Sequence, residues 1–361
     1  MAIGLPQIII NFVKKAYTAI TRSAKGIAVI IIKDETDITF SLKEYNYVSE
    51  VDVDKAKYTE ANFQQINDVF LGIPNKVYVV RIALAGAFAD AVSIIDTLKF
   101  NWICLADGTA ADQQALATYV KEKNAVNKIR KIKAVTYKAT ITDDMHIVNF
   151  TNETIRRLGG TDLAGWNYLG RITGMLAGLP FTRSATYYEL PDLEYVVEPE
   201  DMDAAIDAGE FILMNDYGEV KVARAVNSLQ TLGNNKTEDM KKITIVEAMD
   251  LILDDIATEF KKNYIGKYKN KYDNQALFIS AVNGYFDLLE KEEVLDNEFK
   301  NEALVDIESQ RKAWLTSGKT EAVDWDENTV KNNTFSSRMY LSANVKMLDA
   351  IEDMMLDVNM M

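Results

Sequence analysis

The sequence predicts a mixed α/β protein with a mostly parallel N-terminal sheet flanked by helices, a more helical C-terminal domain, and extended strand-like arms at both termini. Three observations predict it. Residues Gly26-Ile27-Ala28-Val29-Ile30-Ile31-Ile32 form a continuous apolar run between Lys25 and Lys33, the pattern of a strand covered on both faces. From there to Tyr137, strand and helix signals alternate with short connections, as βαβ units require. In the C-terminal third, Ile245, Met249, Ile252, Ile256 and Phe260 recur at spacings of four, three, four and four, which makes one apolar helical stripe.

Taken in order, a helix is predicted over 63–71, stopped by Gly72 and Pro74. A strand follows at 76–82, a helix at 88–98 and a strand at 100–105. Thr109 is placed to cap a helix running to Lys123, and 131–137 and 145–150 read as strands. The helix predicted over 166–179 carries Gly170, Gly174 and Gly178 at every fourth residue, which permits close backbone approach, most simply to the sheet. Residues 201–208 form a short helix behind Pro199. The segments 211–214 and 220–224 flank Asn215-Asp216-Tyr217-Gly218-Glu219, a hairpin signal.

Beyond the Ile245 stripe, Phe278, Val282, Tyr285 and Leu289 repeat the helical pattern. Asp250, Asp254, Asp255 and Glu259 fall on the other side of the Ile245 helix and read as a solvated face. Residues 299–315 are predicted helical and 337–347 extended. The resulting division is an arm at 1–24, an α/β domain at 25–195, a C-terminal α+β core domain at 196–347 and a second arm at 348–361.

Both arms are apolar where most chain ends are polar. Ile8, Ile9, Ile10 and Phe12 form a β-branched and aromatic segment that seeks a strand partner, and Pro6 places it at a sheet edge. At the other end, Met355, Leu356 and Val358 do the same. Their charges are opposite: no acidic residue precedes Asp34, whereas Lys14, Lys15, Arg22, Lys25 and Lys33 do. Asp349, Glu352, Asp353 and Asp357 mark the C-terminal end. Lys14 and Lys15 can therefore attract an acidic arm such as that bearing Asp357 on another subunit.

Composition narrows the function classes. A net charge of −14 argues against nucleic-acid binding, because a phosphate lattice selects basic surfaces. The single cysteine, Cys104, excludes an intramolecular disulfide and points to a reducing cytoplasm. No secretory signal and no apolar run long enough to span a membrane is read, so no membrane insertion is expected. His146 is the lone histidine and reads as a strand residue with a satisfied ring, which excludes histidine metal clusters. Cys104, in Trp-Ile-Cys-Leu, reads as a buried inert thiol. Residues 233–237 lack the upstream glycine of a P-loop, and 158–161 with Gly165 do not make a dinucleotide fingerprint. Asp52 and Asp54 start like a calcium loop, but Ala56 and Phe63 occupy ligand positions. No catalytic residue, cofactor or metal is assigned.

The opening 4–12 segment, continuing through Thr21-Arg22-Ser23-Ala24-Lys25-Gly26-Ile27-Ala28-Val29, resembles the tail sheath proteins of contractile phage tails and phage-derived bacteriocins. Arg224-Ala225-Val226-Asn227-Ser228-Leu229-Gln230-Thr231-Leu232 is similar to the segment entering that family's C-terminal domain. Residues 341–360, with Val345-Lys346-Met347-Leu348-Asp349-Ala350-Ile351-Glu352, are similar to its closing strand and arm. Leu179-Pro180-Phe181-Thr182-Arg183-Ser184-Ala185-Thr186-Tyr187 also has the family's look. The resemblance implies a non-enzymatic subunit that polymerises as stacked hexameric rings around a tail tube and contracts to drive the tube through a cell envelope. It implies partners in other copies of the chain, the tube, the baseplate and the tail terminator, with arms that add strands to neighbours' C-terminal sheets. It also implies synthesis in a bacterial cytoplasm and release by lysis. Two alternatives stand beside it: another self-assembling tail or shell protein, and an α/β enzyme with a carboxylate or lysine site between sheet and helices.

Overall fold

A computed structural model of the chain describes residues 20, 26–125, 131–233 and 236–360. Its centre is β1 (Ile27–Lys33), in which the five residues from Ala28 to Ile32 are fully buried. Ala28, Ile30 and Ile32 enter one core while Val29 and Ile31 enter another, so the unbroken apolar run serves two faces at once. Around it lie β2 (Leu42–Tyr45), β3 (Lys76–Ile82), β4 (Trp102–Leu105), β5 (Lys133–Tyr137) and β6 (Ile147–Phe150). A separate antiparallel sheet holds β7 (Thr154–Arg157), β8 (Asp162–Ala164) and β9 (Leu193–Val196). The two-residue β10 (Glu210–Phe211) returns to the main sheet, whose order is β10-β6-β5-β4-β1-β3-β2. All its neighbours pair parallel except β2 with β3.

The helices follow in order as α1 (Val48–Val53), α2 (Glu60–Phe70), α3 (Ala89–Ile95), α4 (Ala110–Lys123), α5 (Leu169–Gly178) and α6 (Met202–Asp207). One face of the sheet is covered by α2 and α5 through Ile66, Val69, Ile172 and Met175. The other is covered by α3 and α4 through Ala91, Ile95, Leu116 and Val120. Thr109 caps α4 as predicted: its hydroxyl accepts from the Asp112 amide, and the Asp112 carboxylate accepts from the Thr109 amide.

The glycine spacing has a different cause from the expected one. Gly170, Gly174 and Gly178 face α2 and the turn after it. A Cβ on Gly174 would lie 2.0 Å from the Val69 carbonyl oxygen, and one on Gly178 would lie 1.7 Å from that of Gly72. The close approach is helix to helix, and α5 reaches the sheet core with its larger side chains instead.

The predicted hairpin forms from β11 (Leu213–Asp216) and β12 (Glu219–Val222). Its turn is two residues, Tyr217 and Gly218, both at positive φ (48° and 92°), as a tight hairpin demands. Phe211 is not part of this strand. The Asn152 side chain accepts from the Leu213 amide and donates to its carbonyl, so β11 starts there and Phe211 stays with β10.

The C-terminal part is built on α7 (Ile243–Glu259) and α8 (Tyr272–Lys291), joined by a π-helical turn at Phe260–Tyr264. Leu251, Phe278, Val282, Tyr285 and Leu289 form its core, which Ile20 also enters. Residues 299–315, predicted helical throughout, begin instead with β13 (Glu302–Val305). The helix starts only at α9 (Ile307–Thr316), where the Asp306 side chain caps it by accepting from the Ser309 amide. After α10 (Glu327–Asn332), the predicted 337–347 strand shortens to β14 (Leu341–Asn344), antiparallel to β13.

Candidate inter-subunit surfaces

The residues expected to carry function divide into two groups. Ile8, Ile9, Ile10, Phe12, Lys14 and Lys15 lie outside the described residues. Ile20, the one described residue of the 1–24 arm, is buried in the α7–α8 core with Ala248, Leu251 and Phe278. Met355, Leu356, Asp357 and Val358 are described, and all four are exposed. They follow β14 in a stretch that has no regular secondary structure, although Ile351, Met354 and Met360 add to its apolar surface.

What holds that stretch is a clasp that the sequence did not foretell. The Ser184 and Thr186 hydroxyls both donate to Glu352 Oε1, at 2.9 and 2.6 Å. Arg224 Nη2 donates to Asp353 Oδ1 at 2.6 Å, and Lys242 pairs with Asp349. The Glu352 side chain is only 7% exposed, although the apolar residues on either side of it face outward. Thr186 Oγ1 also accepts from the Ala225 amide, which fixes the hydroxyl that grips Glu352. Arg224 lowers the Asp353 pKa, chiefly by this hydrogen bond. Three acidic residues of the terminal arm are thus held within their own chain. Asp357 forms no ion pair among the described residues.

Beside the C-terminal core runs an open apolar groove of about 550 Å³, lined by Met249, Ile252, Ile256, Phe260, Met339 and Leu341. It is the outward half of the Ile245 stripe, and Phe278 joins it to the core that contains Ile20. Next to it, β13 and β14 form a sheet of just two strands, below the number that is stable alone in water.

The carboxylate face of α7 is the clearest departure from expectation, because it is not a solvated face. Asp250 Oδ2 lies 2.7 Å from Lys133 Nζ of β5, and Asp250 Oδ1 lies 3.2 Å from His146 Nε2. Glu247 Oε1 meets the same lysine at 3.1 Å, and Asp144 meets His146 Nδ1 at 3.2 Å. Asp254 pairs with Lys99, and Asp255, 3% exposed, accepts from the Tyr285 hydroxyl. The carboxylates interlock α7 with the sheet and with α8. Burial disfavours the Asp250 charge, yet Lys133 and His146 outweigh it and hold the carboxyl far below its ordinary pKa. The His146 ring is satisfied as predicted, and its two carboxylate partners raise its pKa against the effect of burial. Cys104 is buried, and burial pushes its thiol up to about 12.

A polar cleft of about 800 Å³ opens near the C-terminal ends of β5 and β6, where parallel sheets commonly bind ligands. Lys138, Glu153, Glu198 and Glu210 line it, and Lys138 is already paired with Glu153 at 2.6 Å. Its lining includes no histidine, cysteine or serine. Among the described residues no group of three His, Cys, Asp or Glu side chains is placed to hold a metal ion, and no helix is long and apolar enough to cross a membrane.

Residues 235–361 match the family described as the phage tail sheath C-terminal domain. The chain is 33% identical over 366 residues to the tail sheath protein of Clostridium phage phiCD119, covering 99% of both chains. Among solved structures it is similar to a sheath tail protein of Desulfitobacterium hafniense, with TM-score 0.68 and 15% identity, covering 83% of this chain and 94% of that one. It is also similar to the helical sheath of the anti-feeding prophage in its contracted state, with TM-score 0.69 and 11% identity, covering 99% of each.

Proposed function

The chain belongs to the phage tail sheath protein family and is a non-enzymatic structural subunit of a contractile tail, and from this premise we propose how it assembles. Copies stack as hexameric rings in a helical lattice around a tail tube. Residues 1–24 and 348–361 are the linking arms, flanking an α/β domain (25–195) and a C-terminal domain (196–347).

The observation that carries this reading is the terminal stretch itself. Beyond the clasp at Glu352 the chain presents Met354, Met355, Leu356 and Val358 to solvent. An open apolar groove and a two-stranded sheet stand on the same fold. A strand added at the edge of β13–β14 gains main-chain hydrogen bonds of about 1 kcal/mol each, and each large apolar side chain it buries adds roughly 1.5–3 kcal/mol. Ile8, Ile9, Ile10 and Phe12 of one neighbour, and Met355, Leu356 and Val358 of another, supply such strands. Lys14 and Lys15 face Asp357 in the same exchange. A contact between unlike surfaces does not close on itself, so it propagates as a helix.

Contraction then releases energy stored when the metastable extended lattice assembled: rigid subunits slide while tethered arms hold them together, with no nucleotide consumed. The tube, the baseplate and the tail terminator are the remaining partners. The particle is made in a bacterial cytoplasm and leaves on lysis.

Electron microscopy of two truncations tests the proposal. Removing 1–15 or 354–361 is expected to leave a folded, soluble subunit that builds no cylinders. Normal cylinders from either truncation would overturn the role given to that arm.

A further inference from the structure

Two surfaces of opposite charge lie on different parts of this acidic chain. Between Glu259 and Asp273 there are five lysines and no acidic residue. Between Arg183 and Lys221 there are eleven Asp and Glu residues and no Lys or Arg. In the first, Lys261, Lys262, Lys267 and Lys269 are all exposed, and among the described residues none of them forms an ion pair. In the second, Glu200, Asp203 and Asp207, on and just before α6, are exposed and likewise form no ion pair among the described residues. Both surfaces carry exposed like charges close together in sequence, a repulsion that an opposite surface relieves.

The basic surface is built rather than loose. Phe260, Tyr264 and Tyr268 stack in succession, with centroids 6.3 and 5.2 Å apart, and Tyr264 is buried. Asn270 Nδ2 donates to the Ser336 and Arg338 carbonyls, and the Thr334 hydroxyl donates to the Asn270 carbonyl. The lysines are therefore displayed on a loop pinned at both ends. The acidic surface has its own frame, with α6 capped by Asp201, whose carboxylate accepts from the Ala204 amide. A preformed surface loses little freedom on docking.

No ion pair joins the two surfaces within the chain among the described residues. The complement of each is available on another copy of the same chain. We propose that the Lys261–Lys269 loop of one subunit docks on the Glu200–Asp207 surface of a second copy, a head-to-tail contact of the open-ended kind. The inference deepens the sheath reading and rests on it, since it names one contact of that lattice separate from the terminal arms.

The test is a charge exchange. One variant carries Lys261→Glu, Lys262→Glu, Lys267→Glu and Lys269→Glu; a second carries Glu200→Lys, Asp203→Lys and Asp207→Lys; a third carries all seven. Circular dichroism checks that each is folded, as expected for exposed positions, and Lys→Gln at the same four lysines replaces the first should it fail. Polymerisation is followed by light scattering, with electron microscopy of the product. At about 50 mM salt each single-surface variant is expected to assemble about tenfold more slowly than wild type, with the gap narrowing at about 500 mM. The seven-residue variant is expected to recover to within about threefold, because the contact is restored with its signs exchanged. A seven-residue variant no better than either parent, or parents as fast as wild type, overturns the contact while cylinders of wild type keep the sheath reading intact. Wild type that builds no cylinder overturns the sheath reading; the contact is then read by sedimentation velocity of the same proteins, where monomers at every salt concentration overturn it. Reversed lysines that leave assembly untouched but abolish retention on duplex DNA would assign the loop to a nucleic acid and overturn the contact.

Discussion

Lys133 of β5 and Asp250 of α7 stand 2.7 Å apart, and this pair, 117 residues apart in sequence, fastens the parallel sheet to the C-terminal helices. Glu247 and His146 complete the arrangement, so each charge has an opposite neighbour. Asp250 is the carboxylate that Lys133 and His146 share, so its removal leaves the buried lysine with Glu247 alone and the buried histidine with Asp144 alone. Asp250→Ala is expected to destabilise the subunit by about 3–5 kcal/mol, because a broken buried pair costs far more than an intact one contributes. The urea midpoint of the soluble subunit measures it, and a shift below about 1 kcal/mol would show that the joint is solvated.

His146 gives the same joint a pH dependence with a definite sign. Its pKa in the folded chain is raised: burial lowers it, but Asp144 and Asp250 hydrogen-bond to the ring and prevail. A group with a raised folded pKa contributes stability that is fully present below its unfolded value, about 6.5, and is lost as pH rises through the folded value. His146→Gln should therefore cost most at mildly acidic pH and progressively less above neutrality. Thermal melts across that window check it, and a cost that grows with pH would reverse the assignment.

The crossing of α2 and α5 predicts a steric effect. A Cβ on Gly174 would sit 2.0 Å from the Val69 carbonyl oxygen, a backbone atom that cannot rotate away. Gly174→Ala must push the two helices apart, and overpacking of this kind costs about 3 kcal/mol or more. Gly159 is the control: a Cβ there would meet nothing within 4 Å, but its φ is +67°, so alanine adds only backbone strain of about 1–2 kcal/mol. Paired denaturation curves should rank Gly174→Ala as the worse.

Local and doubly buried features were legible in the sequence, whereas contacts between distant segments were not. The strands β1, β3, β4, β5 and β6 were readable because buried parallel strands leave apolar runs, and Thr109 because a cap is a local event; β2, a largely exposed edge strand, was not. The function of the α7 carboxylates was not, because a helical wheel shows which residues share a face but not what that face meets. Lys133, in a strand far away in sequence, decides it. The same holds for β13, where the start of α9 depends on Asp306 rather than on apolar spacing. The clasp was not legible, because it joins residues far apart in sequence. Ser184 and Thr186, Arg224, and Glu352 lie in three separate stretches that carried the family resemblance, and the structure brings the three together.

Cys104 predicts a chemical readout of unfolding. Its thiol is buried between sheet and helices, and burial pushes its pKa up to about 12. At neutral pH almost none is thiolate, the reactive form. Labelling by an aromatic disulfide reagent is therefore expected to proceed no faster than opening of the core and to accelerate together with loss of circular dichroism in urea. Rapid labelling of the folded subunit would show that the β4 core opens locally.

The last prediction concerns Glu352, which accepts from two hydroxyls and stands beside Arg224 where the terminal arm leaves its own subunit. If this clasp sets where the free arm begins, its loss should lengthen the arm without loosening the fold. Glu352→Ala is expected to cost little global stability, about 1 kcal/mol, since two hydroxyls and a half-exposed guanidinium regain water when it goes. Amide hydrogen exchange should nevertheless rise across 349–353 while β14, paired to β13, stays protected. Glu352→Gln retains an acceptor for the Ser184 and Thr186 hydroxyls and should fall between alanine and wild type. Exchange that rises equally through Leu341–Asn344 would mean that Glu352 supports the hairpin itself rather than anchoring the arm.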